Sequence, residues 1–179
     1  MPLLIGIGFS KNESPYRAAQ NAALQAKLQI NQQPADLVLV YATPFYSRLE
    51  ALAVIKEIFP DAKIIGCSTS GLILPSAIET TGISILALSS STQMQFGTAY
   101  IKNLIDQSAD SAARELSKKV LKDFGLNSRQ LSIVFFDGFS DKGPLLLKGL
   151  KESFGQFFSI LGGGRSEERR VGKECRSRW

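Results

Sequence analysis

The residues able to do chemistry gather behind apolar runs. The clearest group is Gly66-Cys67-Ser68-Thr69-Ser70-Gly71, a polar, glycine-bearing stretch at the end of the apolar run 62–67. Three hydroxyls and exposed backbone N–H groups at a strand end suit a carboxylate, a phosphate or water. Comparable stretches follow other runs: Ser10-Lys11-Asn12, Thr43-Pro44-Phe45-Tyr46 and Asp137-Gly138-Phe139-Ser140. Lys11 or Arg48 can face an anion there, and Phe45 or Tyr46 an apolar group. The candidate ligand-binding residues are therefore Ser10, Lys11, Thr43, Cys67, Ser68, Thr69, Ser70, Gly71, Asp137 and Gly138.

Catalytic patterns fit poorly. The chain has no histidine, so neither a Ser-His-Asp site nor a His-ligated metal site can be assembled from it. A nucleophile elbow needs G-x-S-x-G, and Ser70 stands where the last glycine belongs. A phosphatase-type cysteine loop needs arginine where Ile73 stands. Gly6-Ile7-Gly8 lacks the third glycine of a dinucleotide fingerprint, since Lys11 occupies that position. It reads instead as tight strand packing. Asp36, Asp61 and Asp137 are too scattered for a metal site. Cys67 reads either as a small buried residue at a strand end or as a nucleophile whose base lies elsewhere.

The elements that must position these loops alternate. Residues 3–9, LLIGIGF, read as a buried strand. Ser14-Pro15 supplies an N-cap and a first helical residue, with a helix to about Gln32 and a small face of Ala18, Ala19, Ala22, Ala23 and Ala26. Strands are expected at 37–42 and 62–67, with a helix capped by Ser47 and Glu50 between them and ended by Pro60-Asp61. Strands at 83–88 and 94–101 are separated by a short link of hairpin length. An amphipathic helix runs from about Ser108 to Phe124, with Gly125 as its C-cap. A strand at 131–136, a helix from Pro144 to near Gly155 and a strand at 157–161 complete the set. The fold class is α/β: a mixed, mostly parallel central sheet with helices on its faces and an antiparallel hairpin at about 83–101.

Composition sets the bounds. At 179 residues, with 44% hydrophobic and 21% charged residues, the chain is an ordinary globular domain. The last fifteen residues, RSEERRVGKECRSRW, differ. They carry no strand or helix period, and they read as translated sequencing adapter, disordered and foreign to the fold. Without their six basic and three acidic residues the net charge falls from +5 to +2, and the hint of nucleic acid goes with it. The lone Trp179 and Cys175 go too. A single domain over 1–164, truncated at its C-terminal end, is the expectation. With no signal peptide and no membrane-length apolar run, the expected location is the cytoplasm, with no membrane or nucleic-acid partner.

Several segments together resemble one known family. Ala35-Asp36-Leu37-Val38-Leu39-Val40-Tyr41-Ala42, Ile64-Ile65-Gly66-Cys67-Ser68-Thr69-Ser70-Gly71 and Gly82-Ile83-Ser84-Ile85-Leu86-Ala87-Leu88 are similar to the FIST N-terminal domain. The opening strand and Ala-rich helix, Phe136-Asp137-Gly138 and Gly162-Gly163-Gly164 also fit. The resemblance implies a sensory module of signal transduction that binds a small ligand, amino acids among the proposals, and works with a FIST C-terminal domain or a signalling protein. Some members bind heme; with no histidine to ligate it, 1–164 is expected to carry no cofactor. The function expected is therefore ligand sensing without catalysis. The alternatives are an enzyme with Cys67 as nucleophile and its base in the missing part, and a purely structural or protein-interaction domain.

Overall fold

Ser14 has an extended backbone (φ −87°, ψ 119°) and its hydroxyl accepts a hydrogen bond from Arg17 N, so the helix begins at Pro15. Ser108 does the same for Ser111 N at a later helix, which Gly125 ends in the left-handed region (φ 68°). The computed structural model describes residues 3–47, 49–90, 94–102, 104–125, 129–137 and 142–165. In chain order the elements are β1 (Leu4–Ser10), α1 (Pro15–Gln29), β2 (Leu37–Ala42), α2 (Leu49–Ile58), β3 (Lys63–Ser68), β4 (Leu72–Ile73), β5 (Ile78–Glu79) and β6 (Ile83–Ser89). A 3₁₀ turn (Leu104–Asp106), α3 (Ala109–Phe124), β7 (Leu131–Asp137), α4 (Gly143–Phe154) and β8 (Ser159–Arg165) follow.

The main sheet has the order β1-β6-β2-β3. Strand β6 runs antiparallel to both β1 and β2, while β2 and β3 are parallel, so β1, β2 and β3 point the same way. The sheet is mixed, as expected. The antiparallel element is not a hairpin with 94–101, however, and that segment forms no strand. Both hydrogen-bonding edges of β6 are taken by β1 and β2, which leaves no ladder for a third partner. The small antiparallel pair lies elsewhere, between β4 and β5, with Ile73 opposite Ile78.

Helices α1 and α2 share one core with one face of this sheet: Ala18, Ala22 and Ala26 from α1, Val54 and Ile55 from α2, and Val38, Ile83, Ile85 and Ala87 from the strands. Gly6 and Gly8 explain how α1 comes so close. A Cβ on Gly8 would stand 1.8 Å from the carbonyl oxygen of Ala22, and one on Gly6 would stand 2.0 Å from that of Ala26. The G-x-G pair is thus a backbone seat for a helix. It also corrects the expectation of a fully buried first strand. Gly6 and Gly8 are buried, but Ile5 and Ile7 are 50% and 42% exposed, because β1 is an edge strand and its second face is open.

The C-terminal layer is smaller. Strands β7 and β8 pair in parallel, and Ala112, Ala113, Leu146 and Leu150 of α3 and α4 pack with Val134, Phe136 and Ile160. The last strand starts at Ser159 and contains Gly162, Gly163 and Gly164, rather than ending before them. Gly162 has φ 140°, and a Cβ there would stand 1.9 Å from Val134 O, so the close pairing of β7 and β8 requires glycine.

Candidate functional site

The shared direction of β1, β2 and β3 brings Ser10, Thr43 and Ser68 to the same end of the sheet. In an α/β sheet that carboxyl end is the usual ligand crevice. The local bonding then separates the candidates by what each is free to do.

Thr43 is structural. It is 2% exposed. Its backbone N–H donates to Gly82 O (2.9 Å), and its hydroxyl accepts from Gly82 N (3.0 Å) and reaches Gly82 O (3.3 Å). That clamp ties the end of β2 to the start of β6. Thr69 is also occupied: its N–H donates to Ala42 O (2.9 Å) and its hydroxyl donates to Gly71 O (2.9 Å), folding the loop back on itself. Lys11 is bound to Glu79 of β5 by two contacts of 3.0 and 3.2 Å, which pin the β4–β5 hairpin beside β1. Ser10 Oγ accepts from Asn12 N (3.3 Å), and Asn12 in turn accepts from Ser14 N.

Ser68 is different. Its hydroxyl is buried and has no hydrogen-bond partner, and it holds that position alone among the described residues. A buried hydroxyl left unpaired costs about 1–3 kcal/mol, and such groups commonly mark a site for water or ligand. Ser70 and Gly71 complete the loop beside it, Ser70 exposed and Gly71 half-buried.

Cys67 points to the opposite sheet face, where it is half-buried rather than buried. Its register partner is Tyr41. Burial, and then the proximity of Cys67, push the Tyr41 phenol above its ordinary pKa. Tyr41 also meets Phe135 of β7 edge-on, with ring centroids 5.7 Å apart. That contact carries the C-terminal layer toward the same end of the sheet. Asp137 ends β7, while Gly138 and Arg48 lie outside the described residues. Glu79, Gly82 and Tyr41 were not among the candidates. The polar run Glu79-Thr80-Thr81-Gly82 before β6 was the available signal.

Two open grooves lie away from this end. One of about 660 Å³ is lined by Thr98, Tyr100, Lys102, Gln107, Glu115 and Lys119. The other, about 130 Å³, lies between Lys27, Gln33, Phe59 and Asp61. Among the described residues no group of three or more His, Cys, Asp or Glu is placed to hold a metal, and no helix is long and apolar enough to cross a membrane.

The sequence profile of the FIST N domain matches residues 36–177. The match leaves out β1 and α1, and it runs on into the adapter-like stretch. No curated protein sequence matches the chain. A solved structure of a cyanuric acid hydrolase superposes with a TM-score of 0.35 at 13% identity, covering 72% of this chain and 42% of that one. The chain thus spans less than half of that protein, and so loose a superposition says nothing about chemistry.

Proposed function

Since the chain belongs to the FIST N domain family, sensory modules of signal transduction, we propose that it binds a small polar ligand at the carboxyl end of the main sheet, without catalysis. The observation that carries this reading is the buried, unpartnered hydroxyl of Ser68 in the loop that follows β3. A ligand with a carboxylate or amide, an amino acid among them, satisfies that hydroxyl and takes further bonds from the backbone and side chain of Ser70. An anionic ligand competes with Glu79 for Lys11, whose side chain is 58% exposed and, among the described residues, is bound by that one carboxylate. Releasing Glu79 loosens the β4–β5 hairpin, a change that a FIST C-terminal domain or a signalling protein in the cytoplasm reads. The register partner of Cys67 is Tyr41, whose phenol burial pushes above its ordinary pKa, away from the range of a general base.

A thermal-shift screen of the chain against amino acids and small carboxylates tests this. The expected result is a Tm increase with one or a few compounds that disappears in Ser68→Ala. No stabilisation by any compound, or stabilisation unchanged in Ser68→Ala, overturns the reading.

A further inference from the structure

The outer edge of β1 is occupied by side chains rather than by a strand. Gln29 of α1 accepts from Ile7 N (3.1 Å) through Oε1 and donates to Ile7 O (2.7 Å) through Nε2. One turn earlier, Gln25 Oε1 accepts from Phe9 N (3.1 Å). Alternation explains the geometry. Ile7 and Phe9 turn their backbone groups away from β6, while Gly6, Gly8 and Ser10 turn theirs toward it. The i, i+4 spacing of Gln25 and Gln29 matches the two-residue step of outward groups along the strand.

A side-chain amide that takes both the N–H and the C=O of one residue reproduces the hydrogen-bonded pair of an antiparallel ladder. The same two groups of Ile7 would be exchanged with Ile7 of a second copy across a two-fold axis. Leu3, Ile5 and Ile7 make such pairing attractive, being 40%, 50% and 42% exposed on the open face of the sheet. An edge strand with an exposed apolar face is a template for strand addition unless it is covered.

We propose that Gln25 and Gln29 are an edge guard: they fill the hydrogen-bonding positions of β1 and so keep β1 of a second copy from adding to the sheet. The guard is releasable, since both side chains are exposed and their bonds are open to water.

Sedimentation velocity of the full chain over a range of concentrations tests this, with circular dichroism as a check on folding. Q25A/Q29A is expected to raise the dimer fraction several-fold over the parent at equal concentration. Adding Ile7→Lys to that variant is expected to return it to the parent distribution, because position 7 stands opposite itself across the two-fold axis and two lysines there repel. Gln29→Ala frees Ile7 N and O but leaves Gln25 on Phe9 N, so it gives a smaller rise. A folded Q25A/Q29A with the parent's distribution overturns the proposal. So does association that Ile7→Lys leaves intact, which would come from general unfolding. If Q25A/Q29A does not fold, Gln29→Ala decides alone: a rise supports the guard and no rise overturns it.

Discussion

The two layers of the molecule hold themselves together by different means. The N-terminal layer, 4–90, has a four-stranded sheet with the β4–β5 hairpin beside it, two helices on one face of the sheet, and a core of seventeen buried residues, against four in the C-terminal layer among the described residues. Its defining contact is close approach, with the carbonyls of Ala22 and Ala26 resting on Gly8 and Gly6. The C-terminal layer is a two-stranded parallel sheet under two helices. A two-stranded unit is marginal by itself and depends on what it packs against. With most of the buried core, the first layer is expected to set global stability. The second is a dependent layer whose attachment is open to adjustment.

The largest expected effect breaks the first layer at its seat. Gly8→Ala puts a Cβ 1.8 Å from a helix carbonyl that cannot move without taking α1 with it. The cost is expected at or above about 3 kcal/mol, the upper end for overpacking. That lowers Tm by roughly 6–12 °C in a chain of this size, in one transition. Leu150→Ala, at a side chain 1% exposed between α3 and α4, is expected to cost about 2–3 kcal/mol. Its loss is local: hydrogen exchange quickens in α4 and β8 while β2 and β6 stay protected. Equal quickening in both layers would erase the distinction between them.

The same substitution at another glycine sharpens the contrast. Gly125 has φ 68° with nothing within 4 Å of a Cβ, so Gly125→Ala meets no clash and only left-handed strain. About 1 kcal/mol is expected, read as a Tm drop near a third of that for Gly8→Ala. Both glycines stood in the sequence with a reading. Gly125 was legible as a helix stop because capping is local, as were Ser14-Pro15 and Ser108. Gly6 and Gly8 were legible as packing, but their partner was not, since α1 meets them through backbone atoms.

What stayed hidden was non-local. Nothing near Ile83–Ser89 says that it inserts between β1 and β2, and so 94–101 was expected to be its partner. The site divides the same way. The convergence of Ser10, Thr43 and Ser68 follows from alternating strands and helices. That Gly82 absorbs Thr43, that Glu79 absorbs Lys11, and that Ser68 is left unpaired among the described residues depend on contacts across 39 and 68 residues or on the absence of one.

The smallest expected effect lies at the joint between the layers. Asp123 of α3 accepts from Lys63 Nζ of β3 and from Thr98 N, each at 2.6 Å. The bond from Lys63, then that from Thr98, hold its carboxyl below the ordinary carboxylate pKa. A depressed folded-state pKa means that this stability is present above the unfolded value, about 3.9, and is lost as pH falls through the folded value. The carboxylate is 39% exposed, so water screens it and the whole contribution stays under about 1 kcal/mol. Acid is therefore expected to quicken exchange in α3 and β7 below about pH 4, before it affects β2 and β6. Asp123→Asn should show that faster exchange already at neutral pH and lose the acid step. The amide can still accept from Thr98 N but no longer pairs with the Lys63 charge, so Lys63→Met should reproduce most of the effect. If Lys63→Met leaves exchange in α3 untouched, the joint rests on Thr98 and on the Tyr41–Phe135 contact instead, and the C-terminal layer is held by packing rather than charge.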